Sequence, residues 1–308
     1  MGRKRWCGGR SVIVAVTAIV GGGAVAQDVP VPTSVSIAVP AVGDLPAVTM
    51  AAEVFVPAGT GRFPVVIWSH GRAAEPSVRQ GLKAAIPRGH ARYWLRKGFA
   101  VVAPIRPGYG AAGGVDRERT GARLVANGAC GGALRVAAAS EASAAAVRAA
   151  IDWARLQPWA ERDRLLLAGQ SVGGMATVAA AAQAPPGVVG FVNFSGGTAG
   201  FPDKRPGASC AEAALTELFR RAGTRVRVPN LWLYAENDRY WGAEAPRVWH
   251  AAFAGGGSPT RLVMTAPLPN EDGHRLMLRG GRMWSVHVDA FVAGLGLAAR
   301  RLNSPVPE

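Results

Sequence analysis

The chain has 308 residues, is 49% hydrophobic and carries a formal net charge of +15. That length suffices for one large α/β domain with its own core. The charge is Arg-dominated and scattered with no basic run interleaved with aromatics, which argues against nucleic-acid binding.

The first 26 residues read as a secretory signal peptide. Arg3, Lys4, Arg5 and Arg10 form a basic start, Ser11 to Val20 is apolar, and Ala24-Val25-Ala26 is a small-x-small cleavage site before Gln27. The apolar run is too short to span a bilayer, and no later segment reaches 18 apolar residues without a charge, so stable membrane insertion after cleavage is not expected. Removing four basic and no acidic residues lowers the net charge to +11. Cys7 precedes the apolar run and is not placed for lipid attachment. A secreted or periplasmic protein of residues 27–308 is therefore expected. Its two remaining cysteines, Cys130 and Cys210, read as one disulfide in an oxidising compartment, the alternative being two buried thiols.

After a Pro-rich lead-in at 27–34, strands are expected at Val35–Val39 and Val48–Val56. Val65-Val66-Ile67-Trp68 is a continuous apolar run of the kind found in central parallel strands. The end of a helix at Ala91–Lys97, stopped by Gly98, precedes a buried strand at Phe99–Ala103. The long Gly- and Arg-rich stretch 104–138 reads as a loop of functional length. Ser140, with Glu141 behind it, is placed to cap a helix whose apolar stripe is Ala144, Val147, Ile151 and Ala154. Strands follow at Arg164–Ala168, Val188–Phe194, Val228–Ala235 and Pro259–Thr265. Helical stretches lie at Val172–Ala182, near 211–222, near 244–253 and at Gly281–Leu297. Strands alternating with helices at this spacing imply a mostly parallel sheet covered on both faces. No second domain is visible, although residues 196–225 are long enough for a small cap.

The most informative segment is Gly169-Gln170-Ser171-Val172-Gly173-Gly174, which follows the Leu165–Leu167 run and precedes an Ala-rich helix. A serine on such a strand-to-helix turn has its hydroxyl exposed above the sheet, and small residues are needed because strand and helix approach closely. A serine hydroxyl attacks only if a base takes its proton and a third group orients the base. Asp238, at the end of the Leu231–Ala235 strand and 67 residues after Ser171, is the expected acid, with Glu236 as the competing carboxylate. His274, 36 residues beyond Asp238 and after the last strand, is the expected base. His70 and His90 precede the serine, and His250 and His287 lie in helices. The oxyanion site needs two inward-facing amides. Val172 N–H is one, and the Ser69-His70-Gly71-Arg72 loop supplies the other from Arg72 or from Gly71. Trp241, close after Asp238, and Tyr109 are candidate pocket residues, as is Trp68.

In order, Trp68-Ser69-His70-Gly71, the Gly169–Gly174 elbow, Tyr234-Ala235-Glu236-Asn237-Asp238 and Asp272-Gly273-His274 resemble the α/β-hydrolase superfamily, in the branch of dienelactone-hydrolase-like and prolyl-oligopeptidase-like esterases. The resemblance covers roughly residues 48–297. Arg106-Pro107-Gly108-Tyr109-Gly110 also resembles an Arg-Gly-x-Gly loop of that branch, with an inserted proline. The resemblance implies an α/β-hydrolase fold and no metal or organic cofactor. Dienelactone hydrolases use a cysteine nucleophile where this chain has Ser171, which favours ordinary ester hydrolysis of a small-molecule or polymeric ester. Prolyl-oligopeptidase relatives carry a large N-terminal propeller that this sequence is expected to lack. Two other readings stand beside the esterase: an exported serine peptidase, and a non-catalytic hydrolase-fold binding protein.

Overall fold

The computed structural model describes residues 1–2, 29–110 and 113–297. The expected leader, Met1 and Gly2 apart, lies outside the described residues.

An eight-stranded sheet dominates. Its members are β1 (Thr33–Val39), β2 (Val48–Phe55), β3 (Phe63–Ser69), β4 (Ala100–Pro104), β7 (Ala160–Gln170), β8 (Val188–Phe194), β11 (Asn230–Ala235) and β12 (Thr260–Thr265). They lie in the order β1-β2-β4-β3-β7-β8-β11-β12. Only β2 runs antiparallel, against β1 and β4; the other pairs are parallel. Two short hairpins stand apart from it, β5 (Arg123–Leu124) with β6 (Cys130–Gly131), and β9 (Gly200–Phe201) with β10 (Arg205–Ser209). The helices are α1 (Pro76–Gln80), α2 (Arg88–Leu95), α3 (Val136–Arg155), α4 (Val172–Ala181), α5 (Glu212–Gly223), α6 (Glu244–Ala254), α7 (Leu276–Arg279) and α8 (Gly281–Gly294).

Alternation along each central strand separates two cores. Val65, Ile67, Leu165 and Leu167 pack with residues of α3, α4, α5 and α6. Val66, Trp68, Leu166 and Ala168 face the opposite side, with residues of α2 and α8. Burial on both faces is why these strands read as unbroken apolar runs. In register, Ser69 lies beside Gly169 and Ala235 beside Thr265, so β3, β7, β11 and β12 end along one edge of the sheet. The loops that follow them gather there, which is where open parallel sheets place ligands.

Three expectations need correction. Ser140 does not cap its helix: α3 begins at Val136, and Ser140 is buried one turn inside it with no hydrogen-bond partner for Oγ. The Ala-rich run before Ser140 propagates helix well enough to move the start upstream, while the stripe Ala144, Val147, Ile151 and Ala154 is buried as expected. The strand before the elbow is longer than Arg164–Ala168, because polar residues 161–164 extend it from Ala160. The 104–138 stretch is not structureless; it contains the β5–β6 hairpin. The 196–225 stretch contributes β9, β10 and α5. Among the described residues, no helix is long and apolar enough to cross a membrane.

Candidate active site

Ser171 sits between β7 and α4 with φ 57 and ψ −126, a conformation that L residues rarely hold. Such backbone strain costs on the order of 1–3 kcal/mol and persists where the surroundings over-determine it. Here Ser171 N–H donates to Phe194 O at 2.9 Å, and its carbonyl accepts from Gly197 N–H and Met175 N–H. The glycines are required by close approach. A Cβ on Gly173 would stand 2.1 Å from Ser69 O and 2.4 Å from His70 O, and one on Gly169 would stand 2.3 Å from Gly173 O.

The sequence-predicted partners converge on Ser171. His274 Nε2 lies 3.0 Å from Ser171 Oγ, and His274 Nδ1 lies 3.0 Å from Asp238 Oδ2. All three side chains are buried or nearly so. Asp238 is the carboxylate that meets the imidazole; Glu236 is exposed and lies 3.6 Å from Arg247 instead. Asp238 Oδ1 accepts from the Tyr240 and Trp241 amides, at 2.8 and 3.2 Å, which fixes the carboxylate's orientation. A hydrogen-bonded row of hydroxyl, imidazole and carboxylate allows the serine proton to pass to Nε2 while the carboxylate steadies the cation that results.

Other residues that hold the imidazole were not legible in the sequence. Asp272 Oδ1 accepts from His274 N–H at 2.9 Å and from Arg239 N–H at 2.9 Å, tying the two loops together. Gln170 Nε2 donates to His274 O at 3.3 Å. The Tyr240 ring stacks on His274 with centroids 4.0 Å apart, and Trp241 meets it edge-on at 5.4 Å. For each the sequence signal is closeness to a predicted site residue: Gln170 precedes Ser171, Tyr240 and Trp241 follow Asp238, and Asp272 lies two before His274.

The 69–72 loop faces Ser171 across the elbow. Gly71 lies against the elbow: a Cβ there would stand 2.5 Å from Gln170 Oε1, which a shift of that side chain would relieve, and 3.5 Å from Ser171 Cβ. Val172 and Arg72 line the same cavity as Ser171. Neither of their amides has a hydrogen-bond acceptor among the described residues. The loop is clamped from behind by Arg106. Its Nη1 donates to His70 O at 2.6 Å and to Ser69 Oγ at 2.9 Å, and its amide donates to His70 Nε2 at 3.1 Å. His70 Nδ1–H in turn donates to Gly71 O at 2.7 Å. Burial, reinforced by the Arg106 charge, pushes the His70 pKa well below its usual value, so this ring is a neutral strut. Arg106 is itself buried and pairs with Glu118 through Nε and Nη2. Burial alone would lower its pKa, but Glu118 outweighs that and raises it.

Ser171 opens into a cleft of about 590 Å³. Two separate segments line it, Arg119–Ala122 and Thr198–Lys204, together with Arg72, Glu75, Tyr240 and Trp241. Trp241 is thus at the cleft, with its Nε1–H donated to Ser195 O at 2.8 Å. Tyr109 is not. Its hydroxyl donates to Glu118 at 2.8 Å, and its ring stands edge-on to His70 in a smaller cavity of about 290 Å³ that it shares with Trp68. The buried Glu118 carboxylate needed a further donor, and this draws Tyr109 away from the cleft. Cys130 and Cys210 form a disulfide. Among the described residues, no group of three or more His, Cys, Asp or Glu could hold a metal ion.

The fold and this site define a serine hydrolase of the α/β-hydrolase superfamily, of the peptidase or esterase type. The sequence profile of the X-Pro dipeptidyl-peptidase (S15) family matches residues 46–248, and the chain belongs to that family. The matched stretch contains Ser171 and Asp238 and ends before His274. Among solved structures, an esterase from Pyrococcus furiosus is similar at 14% identity, with a TM-score of 0.59 over 90% of this chain and 96% of that one. An acylaminoacyl peptidase from Pyrococcus horikoshii has 14% identity and a TM-score of 0.57, over 90% of this chain and 44% of that one. A puromycin-hydrolyzing peptidase from Mycobacterium tuberculosis has 18% identity and a TM-score of 0.59, over 87% and 41%. The chain thus spans less than half the length of these two peptidases. At such identities the likeness is one of fold. No curated protein sequence matches the chain.

Proposed function

We propose that this protein is an exported serine esterase of one domain, with Ser171 as nucleophile, His274 as base and Asp238 as the orienting acid. The observation that carries the reading is the His274 ring, 3.0 Å from Ser171 Oγ on one side and 3.0 Å from Asp238 Oδ2 on the other. Ser171 Oγ attacks the ester carbonyl carbon as its proton passes to His274 Nε2. The tetrahedral oxyanion is held by the amides of Val172 and Arg72, with Gly71 as the alternative second donor. Collapse expels the alcohol, which takes the proton from His274. Water, deprotonated by His274, then attacks the acyl-enzyme and releases the acid. Two observations support export: the signal-like residues 1–26, and a disulfide, which persists in oxidising compartments.

The test is Ser171→Ala. Turnover of short p-nitrophenyl esters should fall by at least about 10³-fold with the fold intact by circular dichroism. Activity within tenfold of wild type refutes the assignment. A second reading, cleavage of peptides from a free amino end, is favoured by family membership. Matched aminoacyl arylamides and aryl esters separate the two, because an amine leaves only when firmly protonated.

A further inference from the structure

We infer that the Cys130–Cys210 disulfide is a specificity-determining staple that sets the spacing of the two walls of the cleft above Ser171. The inference rests on the reading of Ser171 as nucleophile. The two walls come from different parts of the chain, and each is built as a unit with one cysteine. On the first, Cys130 of β6 pairs with Leu124 of β5, two residues beyond the lining residue Ala122. Arg135 N–H donates to Thr120 O at 2.7 Å, and a Cβ on Gly121 would stand 2.2 Å from Ala133 O. The lining residues and the hairpin therefore move together. On the second wall, Cys210 N–H donates to Ala199 O at 3.0 Å, and Ser209 Oγ–H donates to Thr198 O at 2.7 Å. Ala199 and Thr198 both line the cleft, and Ala199 is held at φ 62, a strained conformation for alanine.

The disulfide joins these units across a Cα–Cα distance of 5.3 Å. Among the described residues, no hydrogen bond or ion pair links 113–135 with 196–223. Among the described residues, the covalent bond is the direct polar or covalent link between the two segments, each of which is otherwise bonded to the site loops, the first through Arg72–Asp116 and the second through Gly207 N–H on Arg239 O. Both cysteines also lie outside the eight-stranded sheet, whose strands carry the loops of Ser171, Asp238 and His274. The second segment also meets the elbow directly, since Gly197 N–H donates to Ser171 O at 3.3 Å; opening the disulfide frees the two cysteine-bearing hairpins, while that bond and the Ser171–His274–Asp238 hydrogen bonds keep their partners. A substrate with a long acyl chain touches both walls and is oriented by their spacing. An acetyl ester, which reaches little beyond Ser171, is not.

The test compares p-nitrophenyl acetate with p-nitrophenyl decanoate on the full chain carrying Cys130→Ser and Cys210→Ser together. A misplacement of about 1 Å in a positioning element can cost about 10²-fold. The decanoate kcat/KM should therefore fall by at least about tenfold, chiefly through KM, while the acetate value stays within about twofold. Retained acetate turnover also reports a folded site. Wild-type protein opened with a water-soluble phosphine should match the variant; the disulfide takes up two electrons and two protons, and the phosphine becomes its oxide with oxygen from water. Loss of the two esters by the same factor, or no change in either, overturns the staple. Failure of wild-type Ser171 to take a fluorophosphonate label overturns the nucleophile reading, and the staple with it.

Discussion

Gly173→Ala puts the smallest change where the elbow and the proposed oxyanion loop are closest. The new Cβ would stand 2.1 Å from Ser69 O and 2.4 Å from His70 O, and real Cβ contacts essentially never fall below 3.0 Å. Relief requires about 0.9 Å of separation between α4 and the 69–70 backbone. That backbone is held from behind by the Arg106 donors on His70 O and Ser69 Oγ, so it has little freedom to retreat. The displacement passes to the amides of Arg72 and Val172. Moving a preorganised donor by this distance is expected to lower kcat by about 10²-fold, with KM for a small ester changed little. The assay is steady-state hydrolysis of p-nitrophenyl acetate, with fluorophosphonate labelling of Ser171 as an independent rate. Gly281→Ala is the control: a Cβ there meets nothing within 4 Å, and kcat should not change. A fall of less than threefold for Gly173→Ala in folded protein would refute the view that Gly173 is required by the oxyanion loop.

Two further outcomes test the buried polar groups. Glu118→Ala leaves the Arg106 guanidinium buried without its carboxylate, which should cost about 3–5 kcal/mol in urea unfolding; Glu118→Gln keeps an acceptor and should cost less, and equal, small losses would count against a buried ion pair. His90 is buried among Trp68, Tyr93, Trp94, Phe194 and Trp284, with no partner for either ring nitrogen, and burial lowers its pKa to about 3. The unfolded chain, with its histidine near pKa 6.5, binds the proton that the folded chain refuses, so stability falls as pH drops below about 6.5. At pH 5 the loss from His90 is about 2 kcal/mol. His90→Phe should remove that part of the pH dependence, measured as urea midpoints at pH 7 and pH 5; an unchanged slope would sink the argument.

Local pattern accounts for what was legible beforehand. Apolar runs at 65–68 and 165–168 specify strands buried on both faces, and Gly-x-Ser-x-Gly-Gly between strand and helix specifies a turn with no room for side chains. Chain order after Ser171 points to Asp238 and His274 as its partners, because in a parallel sheet every loop after a strand emerges on the same edge. The start of α3 differs from the sequence pattern for an equally local reason: Ser140 has a capping side chain, but the alanines before it hold helix.

What the sequence could not decide are contacts between segments far apart in the chain. Asp238 and Glu236 are both carboxylates at one strand end, and it is the turn after β11, closed by Asp238 N–H on Ala235 O, that brings Asp238 to His274 while Glu236 stays exposed. Tyr109 lies in a motif that resembles a site loop, yet the need of buried Glu118 for hydrogen-bond donors draws its hydroxyl away from the cleft. Cys130 and Cys210 are the two cysteines outside the expected leader, and the fold joins them beside two segments that line the cleft. Periodicity and turn chemistry act over a few residues and are written in the chain; which charges are desolvated together, and which loops face each other, is set only when the sheet brings distant segments to one edge.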